Sequence, residues 1–263
     1  MKCGKIMDKD PLTLKENEFI THARQVLRDN KLRSVPVLDE DEKLVGVLTR
    51  RGVLNVTSNK SNVTVQGYVK KTTIVTPETE LIELGHKMIQ SNQGTLPVVE
   101  SPRNEKVVGI VNIVDLFNSI EKLDISTNEK SEDIMTKKVE TLSSNDRVTK
   151  AWTRMTKTGY SGFPILKDNN LVGIVTRLDI LKSGFARFKK EDDGSRRVND
   201  SPKVEKIMST PVFKVKPSTN VTESAKIMRE KDIGRLPVVD SDDEKRLIGI
   251  IDRYDILESL LGA

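Results

Sequence analysis

The chain of 263 residues carries 44 Lys and Arg against 39 Asp and Glu, a net charge of +5, with 36% hydrophobic and 32% charged residues. This is the balance of a soluble globular protein, and no stretch approaches the roughly 20 apolar residues that span a bilayer. A single cysteine, Cys3, excludes an internal disulfide framework and reads as an inert or tail thiol in a reducing compartment. The opening residues lack the apolar core of a signal peptide, so the expected location is cytoplasmic. The positive excess falls mostly in residues 131–263, a bias suited to small phosphorylated anions. Nucleic acid usually asks for clustered basic stripes, and aromatics at 4% supply few platforms for stacked bases.

In chain order, the first predicted element is a short opening segment around Ile6-Met7, followed by a helix that contains His22. Two β-rich runs follow in SVPVLDEDEKLVGVLTRRGVL, then a second helix, and the polar stretch 57–64 forms a linker. A divergent opening at Tyr68-Val69 leads to a helix with Leu81, Leu84 and Met88 at i, i+3, i+7. Its strand pair and second helix lie in TLPVVESPRNEKVVGIVNIVDLF, and residues 121–130 form the next linker. Ile134-Met135 opens the third set, with Val148, Trp152 and Met155 at i, i+4, i+7 and the run GFPILKDNNLVGIVTRLDIL. Residues 186–202 mix both charges and read as a connector. Ile207-Met208 opens the last set, with Val221, Ala225 and Met228 on one helix face. Runs at Leu236–Val239 and Leu247–Ile251 and a helix at Arg253–Leu261 complete it.

The same unit is therefore written four times as β-α-β-β-α, an α/β (α+β) fold, over 1–57, 65–122, 130–185 and 203–263. The anchor prolines Pro36, Pro97, Pro164 and Pro237 give periods of 61, 67 and 73 residues. From Met7, Val69, Met135 and Met208 to these prolines is 29, 28, 29 and 29 residues. The spacing from proline to the later glycine varies (10, 12, 9 and 12), which marks a hairpin loop. A unit of about 60 residues buries only ~60% of its unfolded surface, so the units should pair into two larger bodies.

An apolar-Pro-apolar strand followed by Gly-apolar-apolar-Thr-x-x-Asp-apolar resembles the cystathionine-β-synthase (CBS) domain, and the resemblance covers nearly the whole chain. It implies two Bateman modules, 1–122 and 130–263, each a pseudo-twofold pair of units. Four units without a catalytic domain look most like the γ-subunit family of AMP-activated protein kinase and the stand-alone archaeal CBS proteins. The resemblance further implies clefts that bind adenosine compounds, namely AMP, ADP, ATP, S-adenosylmethionine or methylthioadenosine. It also allows a second copy to pack against the first into a disc, as a homodimer.

Aligning the copies makes their differences informative. Three residues after the glycine stand Thr49, Asn112, Thr176 and Asp252; six after it stand Gly52, Asp115, Asp179 and Asp255. A carboxylate can accept from both hydroxyls of a ribose, and a strand-to-helix junction offers amides to a phosphate. The same pattern is a helix capping box, whose first residue contributes ~1 kcal/mol as an N-cap; both roles can hold at once. The family resemblance assigns the ribose to Asp115, Asp179 and Asp255. Around these it places Thr176 and Asp252, and it gives phosphate to Arg235, with Arg177 and Arg253 as further candidates. For adenine it points to Thr136 and Val139 in repeat 3, and Ser209 and Val212 in repeat 4. Gly52 leaves repeat 1 without its carboxylate, so repeats 3 and 4 should form the better binding half.

His22 and His86 lack metal-ligand neighbours, and no nucleophile elbow, phosphate-cradling loop or kinase motif is present. The expectation is thus no enzyme and no metal. It is a regulatory sensor that binds an adenine nucleotide and acts through an effector protein whose identity the sequence leaves open. Three alternatives stand: an S-adenosylmethionine or methylthioadenosine binder, a scaffold with vestigial sites, and a nucleic-acid-binding protein.

Overall fold

The computed structural model describes residues 1–56, 62–123, 125–184 and 201–262; most of the 186–202 connector lies outside them. Unit 1 comprises β1 (Leu14–Lys15), α1 (Ile20–Asp29), β2 (Ser34–Leu38), β3 (Leu44–Thr49) and α2 (Arg50–Leu54). Unit 2 has α3 (Leu81–Ser91), β4 (Thr95–Ser101), β5 (Asn104–Asn112) and α4 (Ile113–Ser119). Unit 3 begins with the short α5 (Ser131–Ile134), then β6 (Leu142–Ser143), α6 (Val148–Thr158), β7 (Gly162–Lys167), β8 (Asn170–Thr176) and α7 (Arg177–Lys182). Unit 4 has α8 (Val221–Glu230), β9 (Arg235–Val239), β10 (Leu247–Asp252) and α9 (Arg253–Leu261). In every unit an antiparallel hairpin is centred on the anchor proline, and a first strand runs parallel to it. That first strand is two residues in units 1 and 3 and a single bridge in units 2 and 4, Val75 to Val98 and Val215 to Val238.

The opening segments do not stay with their own units. Residues 2–8 cross to unit 2, where the Asp8 and Ile110 amides and carbonyls exchange two hydrogen bonds, each 2.9 Å. Lys70 pairs with Val47 in the same way, Thr136 with Ile250, and Ser209 with Ile174. The exchange joins unit 1 to unit 2 and unit 3 to unit 4, which are the two Bateman modules. Each crossing passes over the glycine that recurs in the motif. A Cβ on Gly46 would lie 2.3 Å from the Lys70 carbonyl oxygen, on Gly173 2.4 Å from Met208 Sδ, and on Gly249 2.3 Å from Met135 Sδ. Those separations are below van der Waals contact, so the glycine and the opposing Met or Val are required together.

The helices pack the two modules against each other. α1 and α2 meet α6 and α7, while α3 and α4 meet α8 and α9. Two apolar clusters result, one shared by units 1 and 3 and one by units 2 and 4. The predicted helix faces are all in them: Met88, Met155 and Met228 are at most 1% exposed and Trp152 is 8% exposed. Trp152 Nε1 donates to the Leu54 carbonyl at 2.9 Å across the module boundary. Cys3 is no tail thiol; it is fully buried in the second cluster, and burial raises its pKa to about 11.

The arm crossing should be the stability-determining contact of the first module. Gly46→Ala is expected to lower stability by about 1–3 kcal/mol through overpacking. Gly67→Ala, which would have nothing within 4 Å, should stay within about 0.5 kcal/mol of the parent. Chemical denaturation midpoints decide this, and equal midpoints for the two variants would contradict the assignment.

Candidate functional site

Each strand-to-helix junction builds the same cap. Thr49 Oγ1 accepts from the Gly52 amide at 3.1 Å, and Asp252 Oδ1 accepts from the Tyr254 amide at 2.8 Å. Asp115, Asp179 and Asp255 each accept, through Oδ2, the amide of the residue three before them at 2.7 Å. Thr176 Oγ1 donates to the same Asp179 oxygen at 2.7 Å. The capping reading therefore holds in all four units, and in the three with Asp it occupies only one carboxylate oxygen.

A cavity of about 670 Å³ opens where the four units meet. Its lining includes Asp252 and Asp255 of unit 4 together with Thr136 and Val139, and Thr136 pairs with Ile250 on the strand that leads to Asp252. Thr136 and Val139 come from the arm of unit 3, so the arm exchange moves them from the cleft of repeat 3, where the sequence put them, into that of unit 4. Ser209 is moved likewise beside β8 of unit 3, the strand that leads to Thr176 and Asp179. Arg177 and Arg235 also line the cavity; Asp115, Asp179, Thr176, Ser209, Val212 and Arg253 do not.

Arg253, expected at a phosphate, lies behind the cavity wall beside Asp232. It is 3% exposed, with Nη2 3.4 Å from Asp232 Oδ1 and its guanidinium 5.8 Å from the Phe117 ring centroid. The residue five before each anchor proline (Lys31, Asn92, Gly159 and Asp232) has a positive φ and ends the first helix. Arginines at the first turn of the second helix close on that corner. Arg50 Nε donates to the Leu32 carbonyl at 2.6 Å, Arg177 Nη2 donates to the Gly159 carbonyl, and Arg253 takes Asp232. Arg177 thus both closes a helix corner and faces the cavity.

Sequence reasoning missed Arg51, Lys70, Lys138 and Tyr254 on the cavity wall. The alignment contained the signal, because Arg51 and Tyr254 share one repeat position and Lys70 shares that of Thr136. Arg33, one residue out of register with Arg235 relative to the anchor prolines, also lines it. Glycines admit these groups: a Cβ on Gly162 would lie 2.4 Å from Arg235 Nη1, and one on Gly94 would lie 3.1 Å from the Tyr254 hydroxyl.

The wall holds six cations (Arg33, Arg51, Lys70, Lys138, Arg177 and Arg235) and three carboxylates (Glu140, Asp252 and Asp255). Glu140 is engaged by Arg154 at 2.6 Å. Burial and then the charges of Arg51 and Arg235 push Arg177 down to about 10. Burial also lowers Arg33 and Arg235. Guanidinium groups stay charged at neutral pH, so the cavity wall carries a positive excess. Burial and the neighbouring Asp252 push Asp255 up to about 7, and burial raises Tyr254 to about 12. Among the described residues no cluster of His, Cys, Asp and Glu could hold a metal ion, and no helix is long and apolar enough to cross a membrane.

Comparison with known proteins gives the same architecture. A family model for the CBS domain matches residues 3–59, 68–122, 132–185 and 204–262. The uncharacterised protein MJ1404 of Methanocaldococcus jannaschii is 29% identical over 260 residues, or 96% of this chain, which spans 60% of that relative's length. Protein MJ1225 of the same organism is 25% identical over 274 residues, with 95% of each covered. Its crystal structure, described as that of a candidate archaeal homologue of γ-AMPK, superposes with a TM-score of 0.83 at 22% identity, over 98% of this chain and 99% of that one. An uncharacterised conserved protein from Pyrococcus horikoshii gives a TM-score of 0.66 at 24% identity, over 99% and 100% of the two chains. Both are likenesses of fold.

The Asp255 carboxyl makes a pH signature. Its pKa is about 7 in the folded protein against 3.8 unfolded, so the folded state holds this proton more tightly. The stability it contributes is complete below about pH 4 and is lost as pH rises through about 7. Asp255→Asn keeps an acceptor for the Asp252 amide and removes the titration. Ligand-free Asp255→Asn should melt above the parent at about pH 8, with the gap closing toward pH 4. Thermal unfolding across that range tests it, and a variant that melts lower at pH 8 would contradict it.

Proposed function

The chain belongs to the CBS-domain family, and on that footing we propose that it is a regulatory module that binds an adenine nucleotide in the cleft of unit 4 and acts through a partner protein, without catalysis of its own. The observation that carries this reading is the convergence of Asp255, Thr136, Val139 and Arg235 on one cavity. Asp255 Oδ2 is committed to the helix cap, and its second oxygen accepts from the ribose hydroxyls. Thr136 and Val139 flank the base, where Thr136 is held by two backbone hydrogen bonds to Ile250. Arg235 Nη2 donates to Ser161 Oγ, which aims its planar fork at a phosphate.

Charge separates the candidate ligands. Six cations against three carboxylates favour a phosphorylated nucleotide. They oppose S-adenosylmethionine, whose sulfonium is itself positive, and give methylthioadenosine nothing to hold the arginines. These cations line a concave cavity rather than an exposed basic stripe, which suits a small anion better than a duplex or a single strand of nucleic acid. A ligand that bridges the arm of unit 3 and the helix of unit 4 biases the relative placement of those units, which is the quantity a partner can read.

Isothermal titration calorimetry with AMP, ADP, ATP, S-adenosylmethionine and methylthioadenosine tests the proposal. At least one nucleotide should bind, the sulfonium compound should not, and Asp255→Ala should weaken binding by about tenfold or more. Asp115→Ala, outside the cavity, should leave that binding unchanged. No heat and no thermal stabilisation with any of the five would defeat the reading and leave the scaffold alternative.

A further inference from the structure

We propose that the cavity takes a nucleoside polyphosphate whose phosphate chain runs from the cleft of unit 4 into that of unit 1, so that unit 1 is the phosphate grip of a shared site and has no nucleotide cleft of its own. The inference rests on the reading of the unit 4 cleft as an adenosine site. It starts from continuity: one cavity is lined both by Asp255 and Thr136 of the second module and by Val47, Thr49 and Lys70 of the first.

Unit 1 has lost more than a carboxylate. A Cβ on Gly52 would lie 3.1 Å from Leu48 Cδ1 and 3.3 Å from the Tyr68 carbonyl oxygen. A side chain at this position would be crowded by Leu48 and the incoming arm, and unit 1 has no carboxylate there to hold a ribose. The helix cap survives through Thr49.

In exchange the first module has gained cations at the positions that carry neutral groups in the unit 4 cleft. The arm residue is Lys70 in place of Thr136, and the helix residue is Arg51 in place of Tyr254. Arg51 crosses the module boundary, since a Cβ on Gly159 of unit 3 would lie 3.1 Å from its Nη1. Arg33 of unit 1 lines the same cavity and reaches unit 4, since a Cβ on Gly234 would lie 3.7 Å from its Nη2. Among the described residues none of these three cations has an ion-pair partner, although they share one enclosure with Arg177 and Arg235. A monophosphate held at Arg235 leaves Arg51 and Lys70 without a counter-charge. A triphosphate supplies a chain of charged oxygens for them, and each such contact is of the stronger, charge-assisted kind.

Calorimetry with AMP, ATP and inorganic tripolyphosphate, on the parent chain and on Arg51→Ala, Lys70→Ala and Asp255→Ala, is the test. ATP should bind at least about tenfold more tightly than AMP. Arg51→Ala and Lys70→Ala should each remove about tenfold of ATP affinity and change AMP affinity by no more than about twofold. Tripolyphosphate should compete with ATP. Ligand-free melting temperatures check that the variants fold, and Arg51→Lys should restore part of the ATP affinity. Equal affinities for AMP and ATP, or equal losses for both in Arg51→Ala and Lys70→Ala, would overturn the shared site while the adenosine reading stands. Loss of no affinity in Asp255→Ala, or no binding of either nucleotide, would overturn the adenosine reading itself.

Discussion

Everything in this molecule depends on four backbone crossings, in which the opening arm of one unit pairs with the second hairpin strand of its neighbour. Each crossing makes two hydrogen bonds and needs the strand to lack a side chain at the point of closest approach. A unit of about 60 residues buries too little surface to hold itself together. The crossing answers that by making each unit complete only in its partner. It also determines where chemistry occurs, since every cleft is walled by the helix of one unit and the arm of another. The cleft is thus a joint between units before it is a binding site.

The second constraint is charge. Arginines from units 1, 3 and 4 lie close enough for burial and mutual repulsion to pull Arg50, Arg177 and Arg253 down to about 10. Several are partly committed to helix corners, so they cannot swing out into water to escape one another. A buried cationic cluster held rigid in this way costs free energy in the ligand-free protein. An anion that enters recovers some of that cost, so affinity and module docking draw on the same electrostatic term. Asp255 is affected in the opposite direction, because its burial beside Asp252 raises its pKa and makes a neighbouring donor more welcome.

The fold was legible because repetition constrained it. Pro36, Pro97, Pro164 and Pro237 do centre four hairpins, and the apolar faces with Met88, Met155 and Met228 are core. What a linear alignment hides is the exchange. It assigns Thr136 to its own repeat, whereas the arm carries it into the next one. It also treats each repeat position as having one role, although Arg253 and Arg177 stand in register and only Arg177 reaches the cavity. Cys3 shows the same limit: near a chain end it reads as a tail, yet the arm inserts it into a core two units wide. The recurring glycine and the recurring Ile-Met pair did carry the pairing rule, because neither has a reason to recur unless it meets the other.

Four equal clefts around one centre would place four similar ligands in competition for a single positive enclosure. Divergence of the copies removes that conflict. In unit 1, Gly52 stands where the other units carry an aspartate, and Lys70 and Arg51 make that wall cationic. In unit 2, Asp8 occupies the arm position; burial raises the Asp115 pKa, the Asn112 hydrogen bonds oppose that, and the charge of Asp8 adds to the rise. Unit 4 alone combines a carboxylate, an arginine two residues before its proline and an uncharged arm residue. On the proposed reading, the repeats differ because they share the work of binding a single ligand. One end holds the nucleoside, the opposite module holds the charge, and the ligand's length joins the two halves of the protein.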